Sequence, residues 1–217
     1  MANDFINTNP EDLKIYFYDM FLSSEMLTEE LTLEAYNVYD LGEIQMSTGI
    51  QANSTSNIYY ERKEFNPRYS ELTIKLRLDS VDDVFAFFGF RSNNTDPTAS
   101  MTESHIGIMI ESGKVYVSSA DDDHQQKTEI ISLDMTKLYE FKFLYDKLYI
   151  KPLPYLVEEL GLPVVMDTSR KWGLLQQNSI YPPLNQMHFI EFFIKSTTNT
   201  EKNIYLNRVI YKEEYPD

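Results

Sequence analysis

The chain has 217 residues, 34 acidic against 19 basic side chains, a formal charge of −15 and no cysteine. That length suits one domain of moderate size, and 42% hydrophobic with 14% aromatic residues is enough for a packed core. The missing cysteines exclude disulfides, thiolate metal sites and a thiol nucleophile, and the acidic balance argues against nucleic-acid phosphate as a partner.

Residues 1–10 have neither a basic start nor an apolar h-region, so no secretory leader is expected and synthesis in a cytoplasm is inferred. No window approaches the ~18 apolar residues that would span a bilayer, so no membrane partner is expected. Residues 1–12 read as a polar N-terminal arm and 13–217 as a single domain. Pro10-Glu11-Asp12 and Ser24–Leu33 could each start a short helical turn, with acids at the front as the helix dipole favours.

Elsewhere the period is two. Strands are expected at Ile15–Phe21, Gly49–Ala52 and Ile58–Phe65, and Leu72, Ile74, Leu76 and Leu78 then alternate with polar residues. Val84–Arg91 is a strand-sized apolar run, and Ser92–Ser104, rich in Asn, Thr, Asp and Ser, is a loop. Asn53-Ser54-Thr55 and Asn93-Asn94-Thr95 fit the glycosylation pattern but read as polar loops. Ile106, Ile108 and Ile110, then Ser112-Gly113, then Val115 and Val117 make a hairpin signal. Ala120–Gln126 is a loop carrying Asp121-Asp122-Asp123-His124, and Thr128–Ser132 is a further strand. Tyr139, Phe141 and Phe143 alternate before Asp146-Lys147 turns into Leu148–Ile150.

Residues 152–187 form the long irregular loop, with five prolines, the sole tryptophan Trp172, and a weak helical turn at Tyr155–Leu160. Ile190, Phe192 and Ile194 share one strand face. In the last strand, Asn203 to Lys212, Ile204 and Leu206 have one parity and Val209 the other, which predicts a bulge near Asn207-Arg208. Ten to twelve short strands with few helical turns predict an all-β, antiparallel two-sheet sandwich.

The run Phe88-Gly89-Phe90-Arg91, then His105 to Val117 with its Ile-Gly-Ile and Gly-Lys-Val-Tyr-Val phrases, then Leu133-Asp134-Met135-Thr136 into Tyr139–Phe143, resembles the concanavalin A-like, laminin-G-like jelly roll. Residues 70–150 carry the likeness best. It extends loosely to Ile204–Val209, with Tyr16-Phe17-Tyr18-Asp19 as a neighbouring strand.

Glucanases of that fold carry their acids in an alternating Glu-x-Asp-x-x-Glu phrase, which is missing here; glycoside hydrolysis needs two carboxyls about 5–5.5 Å apart for retention or about 6.5–9.5 Å for inversion. Glu29-Glu30, Glu158-Glu159 and Glu213-Glu214 are adjacent pairs that diverge on a strand. Glu191 shares its parity with Phe189 and Phe193, opposite Ile190 and Phe192, and reads as an outward, solvated or interface residue. Asp121, Asp122 and Asp123 offer oxygens for a structural calcium ion, against the simpler reading of a solvated loop tip. His105, His124 and His188 lack metal-ligand spacing, and there is no nucleophile elbow or phosphate loop.

A saccharide needs a flat ring to stack on and polar groups to reach its hydroxyls, which points to Trp172 and Tyr181, with Asp121, Asp123 and His124 beside them. With no catalytic constellation in view, the sequence is read first as a non-enzymatic virion protein. In that reading it is a capsid decoration or other outer component of a tailed phage, bound to capsid or tail subunits or to copies of itself. The second reading is a lectin-like carbohydrate-binding module with surface glycans as partners, and the third a glycoside hydrolase with an unrecognised acid pair.

Overall fold

A computed structural model of the chain describes residues 14–19, 32–33, 36–39, 43–59, 70–93, 95–130, 133–151, 173–183, 186 and 188–213. They form two antiparallel sheets and, among the described residues, no helix. One sheet has the order β13 (Gly173–Gln177), β12 (Lys147–Lys151), β11 (Tyr139–Phe143), β6 (Ser70–Leu78), β15 (Asn203–Glu213), β4 (Glu43–Ser47), β3 (Tyr36–Tyr39). An eighth strand, β1 (Lys14–Asp19), pairs with the later part of β15, so the Tyr16–Asp19 segment does neighbour the last strand. The other sheet has seven strands, β10 (Gln125–Glu129), β9 (Lys114–Ala120), β8 (His105–Glu111), β7 (Val84–Arg91), β14 (Phe189–Ser196), β5 (Thr55–Tyr59) and β2 (Thr32–Leu33). This is the antiparallel two-sheet sandwich that the resemblance to a concanavalin A-like jelly roll implies.

Period-two alternation builds the core. Leu72, Ile74, Leu76 and Leu78 of β6 and Phe141 and Phe143 of β11 meet Ala86, Phe88 and Phe90 of β7 and Ile190, Phe192 and Ile194 of β14, all buried. The expected hairpin forms: Glu111 pairs with Lys114 around Ser112 and Gly113, whose φ values of 52° and 76° suit the tight turn. The expected bulge is there too. The β15 register on β6 slips between Leu206 and Arg208, which lets Leu206 and Val209 both face the core.

The differences have local causes. Gly49–Ala52 is not a strand but the turn from β4 to β5, where the Ser54 hydroxyl lies 2.6 Å from both the Gly49 and Gln51 carbonyl oxygens. Residues 43–47, 36–39 and 173–177 are strands that the sequence pattern left unmarked; the last adds an edge to β12 inside the predicted long loop. The expected N-terminal arm, the turns at 10–12 and 155–160 and most of that loop, with Trp172, lie outside the described residues. So does 24–31, while Thr32–Leu33 is strand rather than helical turn.

Candidate functional site

The seven-stranded sheet has a second face, turned away from the core, and it is not wet. Alternation on β7 puts Phe85, Phe87, Gly89 and Arg91 there, opposite Glu111, Met109, Gly107 and His105 of β8. On the other side of β7 the register sets Phe193 by Phe87, Glu191 by Gly89 and Phe189 by Arg91. Phe85, Phe87, Met109 and Phe193 bury themselves with Met101 and Ala99 of the 92–104 loop, so this loop serves as a cover. Gly107 has no room for a side chain, since a Cβ would come within 2.6 Å of the Phe87 ring.

Under that cover lies Arg91, fully buried. Its Nε donates to Glu191 Oε2 at 2.5 Å and its Nη1 to Glu103 Oε1 at 3.0 Å, and Nη2 reaches the Thr95 carbonyl. Burying an ion pair is costly unless its hydrogen bonds are complete, and this guanidinium uses all three nitrogens. Glu191 therefore points outward as its parity predicts, but it is 0% exposed and ion-paired rather than solvated. The reason is the loop, which alternation within a strand cannot reveal.

Two histidines pin the same edge. His105 Nε2 lies 2.7 Å from Ser118 Oγ, with Nδ1 2.7 Å from the Glu103 carbonyl; His188 Nε2 lies 2.7 Å from Ser104 Oγ, with Nδ1 3.1 Å from the Gln186 carbonyl. Each is a Ser–His–carbonyl array, but all four side chains are buried, which makes them structural clasps rather than open nucleophiles. Burial pushes both imidazoles down to about 4, so they are neutral at pH 7.

The registers of Arg91 with His105 and of His105 with Ala120 bring the 92–104 loop, the 121–124 loop and the approach to β14 to one end of the sheet. Of the sequence-predicted residues, Asp121, Asp123 and His124 sit in the middle loop there. Gln126 of β10 links it to the segment bearing Tyr181: its Oε1 accepts from Ser179 N, Ser179 Oγ and Ile180 N at 2.7, 3.0 and 3.1 Å. The expected calcium set does not converge. Asp121 Oδ1 accepts the amides of Asp123 and His124, which hold its carboxyl below the usual range, while Asp122 Oδ1 turns to the Ser104 amide at 2.7 Å. Among the described residues no group of three or more acids or histidines could hold a metal.

Sequence reasoning missed three residues of this region. Arg91 was only the end of an apolar run, and Glu103 was one polar loop residue among many. Asn178 hides in the long loop: it is buried, yet neither atom of its side-chain amide has a partner, at a cost of ~1–3 kcal/mol each. No local signal marks any of them: Arg91 and Glu191 meet across 100 positions, Glu103 sits in a loop without pattern, and the unmet bonds of Asn178 depend on its surroundings. Chemically, the arrangement places Glu103, a quarter exposed, and Glu191 on one guanidinium. Their bonded oxygens are thus no more than ~8 Å apart, which does not exceed the carboxyl spacings of glycoside hydrolysis, ~5–5.5 Å for retention and ~6.5–9.5 Å for inversion.

No protein-family model matches the sequence, and no curated protein matches it. Solved structures do match the fold. The laminarinase catalytic domain from Thermotoga maritima superposes with a TM-score of 0.59 at 11% identity, over 95% of this chain and 100% of that one. The β-glucanase of Bacillus licheniformis gives 0.59 at 12% identity, over 90% and 96%. The metal-free carbohydrate recognition domain of Emp46p gives 0.57 at 8%, over 88% and 93%. These likenesses establish the jelly roll. They also overturn the expectation of a non-enzymatic virion protein: the molecules similar along nearly the whole chain are mainly glucan-cleaving enzymes, with a carbohydrate recognition domain beside them.

Proposed function

We propose that the chain is a carbohydrate-active protein that engages a polysaccharide, with glycoside hydrolysis as its activity. The observation that carries this reading is the pair of glutamates gripped by Arg91 on the outer face of the seven-stranded sheet. Hydrolysis of a glycosidic bond needs one carboxyl to protonate the leaving oxygen and another to attack the sugar carbon or activate water. Glu103 is the carboxyl nearer to solvent and Glu191 the one beneath it, so a substrate must lift the 92–104 loop to reach both. The likeness to a laminarinase and a β-glucanase supports a β-glucan as the first substrate to try.

The test is release of reducing ends from β-1,3- and mixed-linked β-glucans. Wild-type protein is expected to release them, and Glu103→Gln and Glu191→Gln to abolish the activity. Wild-type protein inert on a broad polysaccharide panel would sink the hydrolase reading.

A second reading, recognition without cleavage, is favoured by one observation. Along the outer face of β8, His105, Gly107, Met109 and Glu111 alternate, so this strand presents a single carboxylate. Here the ligand is held by the loops at one end of the sandwich, with Tyr181, Asp121, Asp123 and His124 as the proposed contacts. Retained oligosaccharide binding in the Glu103→Gln and Glu191→Gln variants of an inactive wild type would select it.

A further inference from the structure

We infer that the rings of Tyr145 and Tyr181, with the Asn178 side-chain amide nearby in the same segment, form a binding platform for a neutral pyranose chain. It lies at the loop-bearing end of the sandwich, on the segment that Gln126 ties to β10. The inference rests on the carbohydrate reading above and gives its Tyr181 contact a backing ring, an amide partner and a ligand charge.

Tyr181 is one of the few large hydrophobic side chains left exposed among the described residues, at 41%. It is not a loose surface ring. Its centroid lies 4.7 Å from that of Tyr145 at an interplanar angle of 56°, and Tyr145 Oη donates to the carbonyl of the next residue, Pro182, at 2.7 Å. The segment beneath is held from three more directions. Asn178 N donates to the Asp146 carbonyl at 2.7 Å, Ser119 Oγ donates to the Ile180 carbonyl at 2.5 Å, and Gln126 clamps Ser179 and Ile180 as described. A backed, immobilised ring loses little freedom when a ligand lands on it, which is what an apolar sugar face needs.

Asn178 supplies the polar half. An amide side chain offers two donors and an acceptor with two lone pairs, and here every one of them is unused. Two neighbouring sugar hydroxyls, one accepting and one donating, match that set. Because the amide is buried, engagement requires the Asn178 side chain to turn toward the ligand while the clamped backbone stays in place, which the ligand's own hydrogen bonds offset. Charge then narrows the ligand. The chain carries −15, and Asp121 and Asp123 lie in the loop that Gln126 joins to this segment, whereas Asp146 is paired with Lys147, so the net charge here disfavours a uronic-acid or sulfated chain. A neutral glycan would not.

The experiment is calorimetric titration of the full chain with neutral β-1,3-, β-1,4- and mixed-linked glucan hexasaccharides, and with an oligogalacturonate of equal length. Expected are binding of a neutral hexasaccharide and none of the oligogalacturonate. Tyr181→Ala should weaken that binding about tenfold or more, as loss of one stacking contact implies. Asn178→Leu should weaken it similarly while leaving the melting temperature unchanged or raised, since it removes an unsatisfied amide. Wild-type affinity in both variants overturns the platform but leaves the carbohydrate reading standing. Wild-type protein that neither binds nor cleaves any glycan overturns both, and tighter binding of the oligogalacturonate overturns the charge argument.

Discussion

The two faces of the seven-stranded sheet are made by the same strands, the inner one buried by the opposite sheet and the outer one only where the 92–104 loop covers it, and they are built in different ways. The inner face is mainly apolar, with Ala86, Phe88, Phe90, Ile106, Ile108 and Ile110 packed against the opposite sheet. The outer face mixes a small aromatic cluster with Arg91, Glu191, His105 and Ser118, and it is closed by a loop rather than by a sheet. An apolar face stabilises by leaving water and tolerates imperfect partners. A buried polar face stabilises only while every group is satisfied, so its failures are abrupt.

That contrast can be broken most severely at the ion pair. Glu191→Leu removes the fully buried partner of Arg91 and leaves it only the quarter-exposed Glu103, at an expected cost of ~3 kcal/mol in denaturant unfolding, whereas adding Arg91→Met should recover most of the loss. Both variants melting like wild type would mean that the pair is not buried in solution. Next comes acid. His105 and His188 have folded-state values near 4 against 6.5 in the unfolded chain, so the unfolded state binds more protons between those limits. Stability is then complete above pH 6.5 and falls toward pH 4 by about 1 kcal/mol per pH unit for each histidine. Unfolding curves measured from pH 7.5 to 4 in His188→Gln should show a shallower slope.

Smaller still is Met101→Ala, which empties part of the loop's contact with Phe87 and Phe193. About 2 kcal/mol is expected, at the low end for a buried methionine because a loop can settle into the gap. The smallest effect belongs to the rim, where Lys127 pairs with Glu111 and lies over the Tyr116 ring, both ends partly exposed. Lys127→Met should change stability by less than ~1 kcal/mol, and less again in high salt.

How far each face could be read in the sequence follows from the same contrast. Alternation reports which residues share a side, so β6, β7, β8, β11 and β14 and the inward phenylalanines were legible, as was the slip in β15. It does not report what covers that side. Glu191 was placed on the correct face and given the wrong environment, because Arg91 lies 100 positions away and Glu103 in a loop without pattern. Strands β3, β4 and β13 escaped for a related reason: they lie toward or at the margins of their sheet, where short mixed stretches such as Gly173–Gln177 need no clean alternation. In the loop-bearing end, Tyr181 and the 121–124 loop could be named from composition. Asn178 could not, since an unmet hydrogen bond is a property of surroundings and not of residue type.

The position of the last two strands has a consequence for how the molecule is made. β14 lies between β7 and β5, and β15 between β6 on one side and β4 and β1 on the other, so both occupy the interior of their sheets. Each emerges from the ribosome after every strand it joins. Until then β6 and β7 keep an open edge, and the earlier strands cannot close into either layer. Long-range pairing of this kind slows folding and leaves nascent chains prone to stick to one another. The demand on chaperones during synthesis should therefore track the time needed to translate residues 189–213, and slowing translation just before Phe189 should lower the soluble yield.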